Sequence, residues 1–234
     1  MNRILLLLLF VFSSLFAQAQ QFDHLAWNNF LQKHVDNNGN VNYATINADE
    51  SELKTYLNQF VNNPPKNSWT KNEKLAYWIN AYNAFTIKLI IDNYPLKSIK
   101  DIKNPWDKKF ILIDGALISL NHIEHEILRK MDEPRIHFAI NCASVSCPKL
   151  LNEAFEAAKL DSQLTNATKS FINNPKKNNL ATNHVEISKI FKWFNKDFEK
   201  KGSIIDFLNA YSEIKINPDA KIGYLDYNWN LNKQ

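Results

Sequence analysis

The chain has 234 residues, a net charge of +4 and a hydrophobic content of 45%. Its lysines are scattered singly or in pairs rather than gathered in a basic block, so nucleic acid is not expected as a partner. The hydrophobic content argues against disorder, and the length suits one domain with a well-covered core.

The N-terminus has the pattern of a secretory signal peptide. Arg3 supplies a positive start, residues 4–12 form an unbroken apolar run, and Ala17-Gln18-Ala19 is a small-residue cleavage pattern. The apolar run is well short of the ~20 residues that a membrane-spanning helix needs. The pattern therefore predicts export rather than membrane anchoring.

We predict that residues 1–19 are removed and that the mature chain begins near Gln20. Residues 20–234 should then form a single domain in the periplasm or outside the cell. No second apolar run of that kind follows in the sequence. A transmembrane anchor is therefore not expected after signal removal.

Hydrophobic periodicity and turn residues predict mainly helices, with several short strands. The predicted helices cover 22–35, 49–61, 72–93, 119–130, 160–172 and 204–211. The predicted strands or extended segments cover 41–46, a hairpin over 110–120, and 135–141, 185–187 and 221–227, with a loop over 142–148 and an aromatic segment over 190–198. This order predicts an α+β fold, in which a helix-rich single domain packs around a small sheet of short strands.

The helix predicted over 72–93 is apolar nearly all round, which is typical of a helix buried in the core. Asn80 and Asn83 lie one turn apart on it. A buried amide without partners costs roughly 1–3 kcal/mol, so both side chains need hydrogen bonds. Bracing of neighbouring loops and contact with a ligand are both consistent with this position.

Glu124 falls on the buried stripe of the helix predicted over 119–130. A buried carboxylate needs a cation or several hydrogen-bond donors. The mature chain has only two arginines, Arg129 and Arg135, and the planar guanidinium grips carboxylates in two places. We therefore predict that one of them pairs with Glu124; two ordinary surface arginines are the alternative.

The only cysteines, Cys142 and Cys147, lie in the small-residue loop after the strand predicted over 135–141. Export favours a disulfide between them, and closing so short a loop would contribute roughly 2 kcal/mol. Alternatively, Cys142 is kept as a reactive thiol. The sequence leaves both possibilities open.

Three ordered segments carry a resemblance to a known family. They are Tyr77-Trp78-Ile79-Asn80-Ala81-Tyr82-Asn83-Ala84, Ile123-Glu124-His125 with Ile127-Leu128-Arg129, and Arg135-Ile136-His137-Phe138-Ala139-Ile140-Asn141-Cys142-Ala143-Ser144. The chain resembles domain-of-unknown-function family 547 and looks like an exported bacterial member. Shorter segments at 41–43, 190–194 and 225–229 extend the resemblance over nearly the whole mature sequence. The resemblance implies a domain but no reaction, and it implies that Cys142 is the more characteristic cysteine, because plant members tend to have serine in place of the second.

The main functional hypothesis is a module that binds an unknown ligand or partner. Each candidate residue is a polar group on an otherwise apolar element, so we expect the set to gather around one partly buried site. The candidate ligand-binding residues are Asn80, Asn83, Arg129 and Asn141, and the remaining members of the set are Glu124, His125, His137 and Cys142.

The alternative hypothesis is a thiol-dependent hydrolase or acyl-transfer enzyme. Cys142 would be the nucleophile, and His137 or His125 would accept its proton. Glu124 or Asn141 could orient the histidine. Contact between His137 and Cys142 would require the chain to fold back at Asn141.

A zinc site is a further alternative, with His125, His137 and Cys142 as ligands and Cys147 or Glu124 as a possible fourth. None of the familiar zinc spacings is present, so no metal is predicted. No cofactor is expected either. The chain has only four glycines, none of them clustered, which disfavours a phosphate-binding loop and hence a nucleotide.

Overall fold

The structure is a computed structural model that describes residues 22–234. The predicted signal peptide lies outside the described residues. The α-helices are α1 Leu25–His34, α2 Tyr43–Ala48, α3 Ser51–Asn62, α4 Lys71–Ile91, α5 Leu160–Ile172, α6 Lys189–Trp193, α7 Asn195–Phe198 and α8 Ile204–Asn209. Across residues 22–234, no helix combines the length and the apolar character that crossing a membrane requires.

The strands are short and form two small sheets. The first is the antiparallel hairpin of β1 Ile111–Ile113 and β2 Ala116–Ile118. The second contains β3 Asn179–Leu180, β4 His184–Ile187 and β5 Lys221–Tyr224, in which β4 pairs antiparallel with β3 and parallel with β5. The predicted helix-rich α+β class is therefore confirmed.

The long helix α4 is the centre of the larger core. It begins at a capping box, in which Thr70 accepts a hydrogen bond from the Glu73 backbone and Glu73 accepts one from the Thr70 backbone. Such a cap stabilises a helix by about 1 kcal/mol. α2, α3 and the π-helix His122–Leu128 pack against α4. Residues on every side of α4 are buried, as the sequence predicts.

The predicted strand over 135–141 is wrong, because Pro134–Phe138 is a 3₁₀-helix. Pro134 occupies its first turn, where a missing N–H is tolerated, and the Glu133 side chain accepts a hydrogen bond from the Arg135 backbone. The apolar alternation has a different origin: Ile136 packs in the larger core and Phe138 in a second, smaller core. The alternating apolar residues therefore pack in two different cores and do not form one face of a sheet.

Two other predicted elements differ in type. The extended segment predicted over 41–46 is mostly helix, since α2 begins at Tyr43 with the Asn42 side chain as its N-cap. The helix predicted over 119–130 is the π-helix His122–Leu128, followed by the 3₁₀-helix Arg129–Met131. The remaining 3₁₀-helices are Ile99–Asp101 and Glu199–Lys201.

Candidate functional site

A cavity of about 210 Å³ lies at the boundary between the two cores. α4, the π-helix, the 142–148 loop, α6 and the C-terminal segment all contribute to its wall. Six aromatic residues line it: Tyr82, Trp106, Trp193, Phe194, Tyr227 and Trp229. Four of the predicted site residues also line it: Glu124, His125, His137 and Cys142. A mostly apolar cavity with a few convergent polar groups is the usual form of a small-molecule site.

Glu124 is a buried carboxyl group in the wall of this cavity. The Tyr82 hydroxyl donates to its Oε2 at 3.2 Å, and this is the one hydrogen bond that its side chain makes among residues 22–234. Burial raises the pKa of Glu124 to about 7, although the Tyr82 hydrogen bond and the charge of Arg129 oppose the rise. Glu124 can therefore gain or lose a proton near neutral pH.

The predicted pairing of Glu124 with an arginine is wrong. Arg129 instead grips Asp197, with Nε 2.6 Å from Oδ2 and an Nη 3.2 Å from Oδ1. Arg135 binds Glu133 and Asp161. Each arginine thus uses its planar fork on another acid, and Glu124 depends on one neutral hydroxyl.

His137, which lines the cavity, forms a buried pair with Asp197 behind it. The His137 Nε2 lies 2.9 Å from Oδ2 of Asp197, and a carboxylate can only accept, so Nε2 carries the proton. Burial lowers the pKa of His137, and the bond to Asp197 offsets only part of this. Burial would raise the pKa of Asp197, but the hydrogen bonds from His137 and Arg129 hold it well below its ordinary value. The imidazole is therefore neutral near pH 7, with Nδ1 as an acceptor.

His125 has the opposite arrangement. An Nη of Arg129 lies 2.7 Å from its Nδ1, and because a guanidinium only donates, Nδ1 accepts and the proton sits on Nε2. Burial and the charge of Arg129 lower the pKa of His125. The two imidazoles thus offer the cavity one donor and one acceptor, and Arg129 acts on the site through His125 and Asp197.

The three asparagines brace the fold and do not line this cavity. Asn80 donates to the Phe155 carbonyl and accepts from the Phe155 N–H. Asn83 donates to the carbonyl of Ala139 and accepts from the N–H of Asn141. Asn141 donates to the Pro148 carbonyl and accepts from the Ala143 N–H. The bonds of Asn83 and Asn141 fix the segment that follows the 3₁₀-helix Pro134–Phe138, and those of Asn80 hold Phe155.

Cys142 and Cys147 are joined by a disulfide that forms part of the cavity wall. The Tyr227 hydroxyl lies 3.3 Å from the Cys142 sulfur and 3.2 Å from the Cys147 sulfur. In this state Cys142 is not a thiol and cannot act as a nucleophile. The zinc alternative also lacks support, because residues 22–234 contain no group of three or more His, Cys, Asp or Glu side chains placed to hold a metal.

Sequence reasoning missed Asp197 and most of the aromatic wall. Asp197 lies within the aromatic segment predicted over 190–198, where one acid among apolar residues is a weak signal. Trp229 and Tyr227 lie near the C-terminus, far in sequence from Trp106. Only the fold brings these residues together.

One comparison with known proteins gives a match. Residues 66–172 match the model of the family described as "Protein of unknown function, DUF547". This segment, which contains α4, the π-helix and the disulfide loop, therefore carries the domain of that family. No curated protein and no solved structure matches the chain.

Proposed function

We propose that this protein is a binding module for a small organic ligand, held in the cavity between the two cores. The observation that supports the proposal most directly is the meeting of Glu124, His125 and His137 in one aromatic-walled cavity of about 210 Å³. The aromatic wall would hold the apolar part of the ligand, and the three polar groups would orient its polar part. The disulfide supports the further proposal of export, because disulfides persist in oxidising compartments.

The binding proposal is tested by blocking the cavity. Benzyl alcohol, a probe with one ring and one hydroxyl, should bind the wild-type protein in isothermal titration calorimetry. Ile190→Trp adds bulk to the cavity wall and should abolish the binding, whereas Ile214→Trp, the same change at an exposed position, should not. Thermal unfolding confirms that both variants fold. Equal binding of benzyl alcohol by the two variants would contradict the proposal.

A thiol-dependent hydrolase or acyl-transfer enzyme is the second candidate, because Cys142, His125 and His137 line the same cavity. This candidate needs a reduced form of the protein. Iodoacetamide should label Cys142 in the folded protein only after a reductant is added. If the reduced thiol then titrates like a free thiol, at about 8.5, and does so regardless of His137→Ala or His125→Ala, the thiol enzyme is excluded.

A further inference from the structure

We propose that the ligand of this cavity is an organic cation with an alkylated ammonium head, a proposal that rests on the binding function above. Three features of the cavity carry it: the aromatic wall, the charges of the lining residues, and the small number of acceptors.

The aromatic wall is a continuous set of rings. Ring centroids lie 4.8 Å apart for Trp193 and Tyr227, 4.5 Å for Tyr227 and Trp229, and 5.6 Å for Trp106 and Trp229. The faces of aromatic rings attract cations, tryptophan most strongly, and cages of such rings bind quaternary ammonium groups. The wall therefore has the composition that such a cation requires.

The charges of the lining residues favour a cation. The whole chain carries 28 Lys and Arg residues, yet among the residues that the structure describes none of these lines the cavity, and Glu124 is the one carboxyl group that does. Behind the wall, Arg129 and Asp197 neutralise each other. Lys100 and Arg129 already lie over the rings of Trp229 and Phe194, 5.0 Å and 5.3 Å from the centroids, which leaves Trp193, Tyr227 and Trp106 for a ligand. Glu124 is the charged group that lines the cavity itself, and in a cavity of low polarity an unmatched carboxylate favours a positive ligand.

The small number of acceptors favours an alkylated head over a primary amine. A primary ammonium has three N–H donors, each of which needs an acceptor when it leaves water. The lining side chains supply an oxygen of Glu124, the Nδ1 of His137 and the amide oxygen of Asn121, whose NH2 donates to Asp107, whereas most of the wall is apolar. Methyl groups on the nitrogen need no acceptors and can pack against the rings instead.

The ligand's charge would act on the ionisation of Glu124. The titratable or charged groups that face Glu124 from the packed elements are Tyr82, His125, Arg129, His137, Asp197 and Tyr227. Burial raises the pKa of both tyrosines above its ordinary value, and the pKa of each histidine is lowered. Glu124, whose pKa is about 7, therefore gains negative charge between pH 6 and pH 8, and cation binding should strengthen as the pH rises.

The decisive probes are choline and its uncharged carbon isostere, 3,3-dimethylbutan-1-ol, compared by calorimetry on the full mature protein. Choline should bind at least about tenfold more tightly than the isostere, and more tightly at pH 8 than at pH 6. Glu124→Gln, which keeps the shape and removes the charge, should weaken choline by about tenfold and remove the preference of the site for choline over the isostere. Glu126→Gln, an exposed neighbour on the same helix, is the matched control and should change neither.

The outcomes separate the two proposals. If the isostere binds as tightly as choline, or choline binding ignores both pH and Glu124→Gln, the cation proposal is overturned while the binding function stands. If benzyl alcohol binds but choline does not, the cation proposal is likewise overturned and the binding function stands. If none of the three probes binds, both proposals fall.

Discussion

Glu124 illustrates the cost of a single buried acid. Its pKa rises from 4.5 to about 7 on folding, so between these pH values the folded protein holds a proton that the unfolded chain has released. Stability should therefore fall as the pH rises through this window, by about 3 kcal/mol in total. Above the window the contribution is constant.

The prediction is tested with Glu124→Gln, which has no proton to lose. Relative to wild type, the variant should gain about 3 kcal/mol of unfolding free energy between pH 4.5 and pH 7, measured by urea unfolding at several pH values. Glu126→Gln should give a curve with no such gain. Parallel curves for wild type and Glu124→Gln would contradict the burial of this acid.

The pKa of Asp197 shifts in the opposite direction to that of Glu124. Its pKa is lowered by the bonds from His137 and Arg129 despite burial, so its stabilisation is present above its ordinary value of 3.8 and is lost as the pH falls. Asp197→Asn should destabilise the protein at pH 7 by about 2 kcal/mol. The effect should be smaller below pH 3.8. Asp226→Asn, at an exposed aspartate bonded to Lys189, is the control. Equal unfolding midpoints for the two variants would remove the proposed role of Asp197.

The sequence predicts some of these residue-scale features and not others. The burial of Glu124 follows from its position on an apolar helical stripe. Its hydrogen-bond partner could not be predicted in the same way, because Tyr82 lies 42 residues away. A tyrosine hydroxyl can also donate to a buried carboxylate in place of an arginine. The Arg129 guanidinium pairs instead with the Asp197 carboxylate, 68 residues away. No local sequence pattern could indicate this pair.

At the scale of elements, Asn83 joins α4 to the segment that leads into the disulfide loop. Its amide satisfies two buried backbone groups, the carbonyl of Ala139 and the N–H of Asn141. Asn83→Ala leaves both without a partner and should destabilise the protein by about 3 kcal/mol. Asn58→Ala, at an exposed position of α3, should have little effect in the same urea unfolding experiment. A similar small effect at Asn83 would show that the brace is dispensable.

Helices with one clear apolar stripe were predictable, and segments shared by two cores were not. The predicted range 160–172 coincides with α5, because its buried residues follow the helical period. The segment from Pro134 to Phe138 packs in both cores, so all of Ile136, His137 and Phe138 are buried, and its pattern imitates a strand. The α+β class could be predicted because it depends on the balance of elements rather than on any one of them.

At the scale of the whole molecule, the site exists because the larger core and the smaller core meet without filling the space between them. Tyr82 and Ile140 reach the cavity from the first core, and Ile190, Phe194 and Tyr227 from the second. Residues so far apart in the sequence share no motif. The sequence could therefore indicate Glu124, His125 and His137 but not the aromatic wall that encloses them.

The six tryptophans allow a direct test of whether the cavity binds a ligand. The chain has six: Trp106, Trp193 and Trp229 line the cavity, whereas Trp27, Trp69 and Trp78 lie in the larger core. In ¹⁵N-labelled protein each indole N–H gives its own NMR signal, which can be assigned by single Trp→Phe substitutions. Titration with benzyl alcohol or choline should shift the signals of the three cavity indoles in a saturable way and leave the three core indoles in place. Equal shifts of all six signals, or shifts confined to the three core indoles, would show that the probes do not bind in this cavity.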